Sequence, residues 1–163
     1  MANSPNDMRI REAEATDSEW VLHHRIGMFR DMGESEEFLS ETEKLTRRFL
    51  EGDWAHDYRY FLVEEGQAVI GGCGLSTFMV PPGAHQRTGL FGYLSNMYIE
   101  PEFRRKGIGR ALMKHVVEFC LENGIGLLLL HASDEGRYLY ESEGFSTPKS
   151  LMHLITWKYT GSS

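Results

Sequence analysis

Apolar and polar positions alternate from Met8 to Glu12, a period of two that predicts a first β-strand. The period then becomes helical. Thr16, Asp17 and Ser18 offer capping oxygens, and Trp20, Leu22, His23, Ile26 and either Phe29 or Arg30 follow at helical spacing until Gly33 ends the segment. A second amphipathic helix is predicted from about Ser35 to Leu50, with Phe38, Leu39, Leu45, Phe49 and Leu50 as its apolar stripe. The middle of the chain returns to strand character. Arg59 to Glu64 is followed by a tight turn at Glu65-Gly66 and by a partner strand from Ala68 to Val80. Gly71, Gly72 and Gly74 inside that partner point to a bulge or a close backbone approach. Pro81-Pro82-Gly83 breaks the chain before an exposed loop, and Leu90 to Glu100 forms a further strand stopped at Pro101.

Gly107 to Glu122 carries the clearest helical pattern. Ile108, Ala111, Leu112, Val116, Phe119 and Cys120 lie on one face and Arg110, Lys114 and Glu118 on the other, with Asn123-Gly124 as the stop. Ile125 to His131 is apolar on both faces, the pattern of a strand buried by parallel pairing inside a sheet. Ser133-Asp134 starts a short helix that Gly144 ends, and Leu151 to Tyr159 supplies a final strand or two. This order, β-α-α-β-β-β-α-β-α-β, describes an α/β fold: a mixed, twisted sheet flanked by helices, with one right-handed strand–helix–strand crossover. No repeat, low-complexity run or linker divides the chain, so residues 1–163 are read as a single domain.

Composition narrows the function. With 41% hydrophobic and 25% charged residues the 163-residue chain is ordinary globular material, which excludes disordered and fibrous classes. Seventeen basic residues against 24 acidic ones give a net charge of −7, which argues against binding a nucleic-acid backbone. One compact basic cluster, Arg104-Arg105-Lys106, stands out against that balance and points to a small anionic ligand. The longest clean aliphatic run, Leu127 to Leu130, is far too short to span a membrane, and the polar N-terminus has no signal-like apolar stretch. Cys73 and Cys120 each fall in apolar periodic stretches and are read as buried thiols, with the cytoplasm as the expected compartment.

The most informative window runs from Met97 to Leu112, MYIEPEFRRKGIGRAL. A strand, a proline stop, three cations and two glycines lead directly into an amphipathic helix. The first turn of a helix leaves backbone N–H groups without partners and carries partial positive charge. Glycine there lets a phosphate reach those amides, and a pyrophosphate is the natural guest. The plainer reading is a glycine-softened helix start with solvated charges. GxxxxGK[ST] is absent, and GxGxxG fails because Leu112 stands at the third glycine, so P-loop and Rossmann readings drop out.

The spacing Arg104-x-x-Gly107-x-Gly109 after a strand ending Met-Tyr-Ile-Glu-Pro-Glu resembles the acyl-CoA-binding motif of the GNAT superfamily of N-acetyltransferases. Leu139-Tyr140-Glu141-Ser142-Glu143-Gly144-Phe145 resembles the LYExxGF segment that closes the same core. The resemblance is close over Leu90 to Phe145 and architectural over the N-terminal helices. It implies acetyl-CoA as co-substrate and a GNAT-like domain throughout. It further implies that Met97, Tyr98 and Ile99 offer strand backbone to the pantetheine arm, with Met97 and Ile99 making the hydrogen bonds. The amides of Arg105, Lys106, Gly107, Ile108, Gly109 and Arg110 would cradle the pyrophosphate, Arg104 and Lys106 adding charge, and Tyr140 would lie near the sulfur. The family often has Asn where this chain has Ser133, which puts that contact to pantetheine in doubt.

Chemistry constrains the mechanism independently. An alkylamine with pKa near ~10.4 must lose a proton before it attacks a thioester, so a base or a water chain is needed. A phenol such as Tyr140 can protonate the leaving thiolate, and a backbone N–H near Met97 can stabilise the oxyanion. GxSxG is absent and neither cysteine has a nucleophile's context, which favours direct attack. His131, at the C-terminal end of its strand, is a candidate base, although a lone histidine there is commonly structural. Glu34, Glu36 and Glu37 either attract a cationic acceptor or form a solvated acidic face. The histidines lack metal-ligand spacing, so no metal is expected. The acceptor, a small-molecule or peptide amine, would meet the regions Ile26–Trp54 and Val80–Gly89. The competing readings are a non-catalytic acyl-CoA sensor and transfer to a non-amine acceptor or of a longer acyl chain. Exposed strand edges make a homodimer an expectation.

Overall fold

A computed structural model describes residues 8–52, 56–84 and 86–156, and it divides into two compact units, Met1–His131 and Ala132–Ser163. In the first unit, β1 (Met8–Glu12), β2 (Tyr58–Glu65), β3 (Ala68–Met79), β4 (Leu90–Ile99) and β5 (Leu127–Leu130) form one sheet in that order. The first four strands pair antiparallel, β2 and β3 through a turn at Gly66, and β4 pairs parallel with β5 through the crossover helix α3 (Ile108–Glu122). The sheet is therefore mixed, as the strand order predicts.

Two faces of the sheet are filled by different helices. On one, α1 (Ser18–Asp31) lays Val21 against Tyr60 and Leu62, all three essentially excluded from solvent. Gly72 and Gly74 of β3 lie beneath this face, where a Cβ on Gly72 would stand 2.5 Å from the Tyr60 ring and one on Gly74 would strike the Tyr58 ring. These glycines serve close approach, as their place inside a strand suggests. On the other face, α3 buries Leu112, Met113 and Val116, and Phe61 meets His115 and Phe119 edge-on at 5.2 Å. Cys73 and Cys120 are buried free thiols, and burial pushes the pKa of both upward.

The helix α2 (Glu36–Leu50) starts at Ser35, whose Oγ accepts from the Phe38 amide. Only part of its expected stripe is buried. Leu39 is covered, whereas Phe38, Leu45 and Phe49 are 39%, 54% and 49% exposed, because α1 covers one flank of α2 and leaves the adjacent row open. In α1 the buried histidine is His24, with His23 outside: one residue turns the helix by ~100°, enough to exchange a wet face for a dry one.

His24 is fully buried, its Nδ1 3.0 Å from the Tyr60 hydroxyl and its Nε2 without a hydrogen-bond partner. Glu100, 4.0 Å from Nε2, is engaged by His23 at 2.6 Å. Burial, helped by the neighbouring His23, holds the His24 pKa down at about 3. The unfolded imidazole takes up its proton near pH ~6.5, so the unfolded state binds the extra proton as pH falls below that value. Stability should be full above about pH 6.5 and fall toward pH 3, by up to ~1.4 kcal/mol per pH unit from this residue. Urea unfolding between pH 7.5 and 5 should show a steeper acid loss for the wild type than for His24→Gln. Equal slopes would contradict the assignment.

Two expectations are corrected. Ile125–His131 forms a strand only over Leu127–Leu130, parallel to β4 as predicted; among the described residues β4 is its one partner, and β5 is incompletely buried, with Leu127 41% exposed. The segment from Leu151 to Thr156 carries no strand, and the rest of that prediction, to Tyr159, lies outside the described residues. Among the described residues no helix is long and apolar enough to cross a membrane, and no three His, Cys, Asp or Glu side chains gather to hold a metal ion.

The second unit holds α4 (Asp134–Ser142), capped by the Ser133 hydroxyl, which accepts from the Gly136 amide at 3.1 Å. Tyr140 is 8% exposed and meets Phe145 edge-on at 5.8 Å, and the Phe145 amide donates to the Tyr140 carbonyl. Gly144 closes the helix at φ 95°, a conformation that favours glycine.

Candidate active site

The site begins where β4 and β5 part. Their ladder covers only Phe91 to Leu94 on β4 against Leu127 to Leu130 on β5, although β4 continues to Ile99. The Glu100 amide donates to the Ile70 carbonyl of β3. In an antiparallel ladder a residue's N–H and C=O share a side and successive residues alternate. Tyr98 therefore turns its main chain toward β3, while Met97 and Ile99 turn theirs to the side that β5 has left. Consistent with that direction, the Ile99 carbonyl accepts from Arg104 Nε at 2.8 Å. The parting coincides with a bulge: the β3–β4 register shifts between Gly72 and Gly74, and Asn96 has φ 52°. Asparagine tolerates that left-handed geometry better than other non-glycine residues, and the extra residue re-aims the strand.

From Ile99 the chain runs through a short turn, Pro101–Phe103, into Arg104. It turns left-handed at Arg105 (φ 63°) and again at Gly107 (φ 80°), the N-cap of α3. No side chain caps the helix and no acidic residue stands in its first turn. The amides of Ile108 and Gly109 have no partner within the helix. Left-handed turns before an uncapped helix start gather N–H groups into a concavity suited to an anion, with the helix dipole behind it. Arg105 is a non-glycine residue held at positive φ, the kind of backbone cost that collects at functional sites.

The cations around this cradle are differently engaged. Arg104 spans Asp31, the Ile99 carbonyl and the Tyr98 ring, over which its guanidinium stacks at 5.3 Å. It thus ties α1 to the end of β4. Lys106 lies over Phe103 at 5.0 Å, and Arg105, Lys106 and Arg110 are exposed at the cradle rim.

A second set of groups lies at the parting itself, on the α1 face. His131 directly follows Leu130, the partner of Leu94, and its Nδ1 is 2.6 Å from the Tyr93 hydroxyl. Tyr58 reaches Asn96 from below, and Arg25 of α1 donates to Asn96 Oδ1 at 2.7 Å. Arg25 also stacks over Phe29 at 5.1 Å, and Phe29 meets Phe38 of α2 at 5.2 Å. Burial raises the pKa of the Tyr58 phenol to about 12 and that of Tyr93 less far, and in both the charge of Arg25 opposes the rise. Arg25, Tyr58, Tyr93, Asn96 and His131 thus share one neighbourhood.

The first unit therefore joins Met97, Ile99, Arg104, Arg105, Gly107, Ile108 and Gly109 in a continuous run of strand edge, turn and helix start, with His131 at the parting. Tyr98 packs inward against Gly27. Tyr140 belongs to the second unit and is buried there. Glu36 and Glu37 occupy the first turn of α2, where carboxylates complement the helix dipole. Trp54 and His85 lie outside the described residues. Sequence reasoning missed Arg25, Tyr93 and Asn96, whose partners are 38 to 71 residues away.

Comparison with known proteins places the chain's sequence and fold among acetyltransferases. A sequence model of the acetyltransferase (GNAT) family matches residues 26–145. Thialysine N-epsilon-acetyltransferase of Mus musculus is 31% identical over 160 residues, covering 91% of this chain and 88% of the relative. The crystal structure of a GCN5-related N-acetyltransferase from Ralstonia eutropha superposes with a TM-score of 0.81 at 32% identity, over 91% of this chain and 99% of that one. A predicted acetyltransferase from Clostridium acetobutylicum, crystallised with acetyl-CoA, shares the fold with a TM-score of 0.78 at 24% identity, over 94% and 99% of the two chains.

Proposed function

The chain belongs to the acetyltransferase (GNAT) family, and from that premise we propose that it moves an acetyl group from acetyl-CoA to a primary amine by direct attack in a ternary complex. The observation that carries this reading is the outward strand edge at Met97 and Ile99, followed after one short turn by the uncapped start of α3. Outward N–H and C=O groups at Met97 and Ile99 suit an amide-bearing arm added as a strand. The left-handed turns and uncapped α3 start suit the pyrophosphate that follows such an arm. The distance along the chain between these two subsites is that of an extended strand end and one turn.

In the reaction the amine nitrogen forms a bond to the thioester carbonyl, the C–S bond breaks, and the amine proton must leave. His131 is our candidate for its acceptor. Its ring is held by Tyr93 beside the parted strands, the region a thioester at the end of the arm would reach. An N–H near Met97 would stabilise the oxyanion, and Tyr140 would protonate the departing thiolate. Cysteine catalysis finds no support, since burial holds both thiols protonated.

His131→Gln should lower kcat by about tenfold with acetyl-CoA affinity unchanged, and the loss should shrink as pH rises and the free amine fraction grows. A loss that does not vary with pH would remove the base assignment. Release of free thiol from acetyl-CoA, dependent on both enzyme and amine, tests the activity. Acetyl-CoA binding without amine-dependent thiol release from any amine would leave the chain a binding module.

A further inference from the structure

Three cationic side chains among the described residues fall outside the exposed class: Arg11, Arg25 and Arg59. Arg11 pairs with Asp17 and Glu64, and Arg59 pairs with Glu12. Arg25 has no carboxylate within ion-pair distance among the described residues, and its one hydrogen bond goes to the neutral amide oxygen of Asn96. A guanidinium carries five donors in a planar fork. Half-burying one without a counter-ion is costly unless an anion completes it, and the acidic balance of this chain makes an unpaired arginine more conspicuous.

Its position says which anion. Arg25 touches Asn96, the residue before Met97, on the α1 face of the sheet that also carries Tyr93 and His131. The phosphate cradle lies at the other end of this run, beyond Ile99, with its own cations. Around Arg25 the wall is aromatic: Phe29 beneath the guanidinium, then Phe38, which is 39% exposed, and Tyr58. A flat cation seated on aromatic rings, beside the point of transfer and away from the phosphate end, suits a carboxylate.

We propose that Arg25 receives the carboxylate of the acceptor, so that this enzyme acetylates amines that bear an acid group, amino acids being the simplest class. The inference rests on the transferase reading above and adds the acceptor's chemistry to it.

The test compares kcat/KM for pairs of amines that differ only by a carboxylate: L-lysine against cadaverine, L-ornithine against putrescine, and L-phenylalanine against 2-phenylethylamine. The wild type should favour the acid-bearing member of at least one pair by about tenfold or more, as expected for a charge-assisted hydrogen bond. In Arg25→Gln that preference should collapse, the extra loss appearing in KM for the acid-bearing amine, and Arg25→Lys should restore part of it. Calorimetry with acetyl-CoA runs alongside. A preference that Arg25→Gln leaves intact overturns the proposal, as does acetylation confined to amines without a carboxylate. An equal loss of kcat for both members overturns it too, and assigns Arg25 to propping Asn96. Failure to bind acetyl-CoA removes the transferase reading itself, and this inference with it.

Discussion

Replacing Gly109 with glutamate lowers acetyl-CoA affinity by about 100-fold while the protein stays folded. The two halves of that expectation come from the same position. Gly109 is the second residue of α3, in a first turn that holds no acidic side chain. A glutamate there improves helix propensity, since glycine costs roughly 1 kcal/mol in a helix, and a carboxylate near the N-terminus is favoured by the dipole. The variant should therefore unfold at a temperature no lower than the wild type. The same carboxylate occupies the concavity and repels the pyrophosphate proposed to sit there, removing about 2.7 kcal/mol of binding, the equivalent of that 100-fold. Unchanged affinity in a folded variant would remove the cradle assignment.

Changing Tyr140 to phenylalanine lowers kcat by about 100-fold and leaves acetyl-CoA affinity close to that of the wild type. The ring stays, with its edge-on contact to Phe145, so packing in the second unit is preserved. Only the hydroxyl is lost, and with it the proton donor proposed for the leaving thiolate. The effect should appear in kcat and kcat/KM alike, the pattern of an interaction made only in the transition state. Wild-type turnover across the pH range would leave Tyr140 a packing residue.

What the sequence disclosed and what it withheld follow from the range of each interaction. The proposed phosphate cradle was legible because its parts are neighbours in the chain: Pro101, the basic run, Gly107 and Gly109 lie within one turn and one helix start. The helices and the β2–β3 hairpin were legible from local periodicity and from Gly66. The parting of β4 and β5 was not, because nothing in Leu90–Glu100 records where its partner strand ends. Leu127 to Leu130 pair parallel with β4 as the run suggested, but an apolar run states what a strand prefers to bury, not how far the described residues cover it. The choice between His23 and His24 turned on helix phase. Arg25 and Asn96 meet across 71 residues, and Tyr93 and His131 across 38, distances over which composition and spacing carry no signal.

Calorimetric titration with acetyl-CoA, dephospho-CoA and free pantetheine tests the central claim most directly. If the strand edge at Met97 and Ile99 and the cradle at Arg105 to Gly109 form one site, acetyl-CoA binds tightly, dephospho-CoA keeps most of that affinity because it retains the pyrophosphate, and pantetheine loses nearly all of it. Equal affinity for all three would contradict the cradle, and no binding to any of them would contradict the whole assignment.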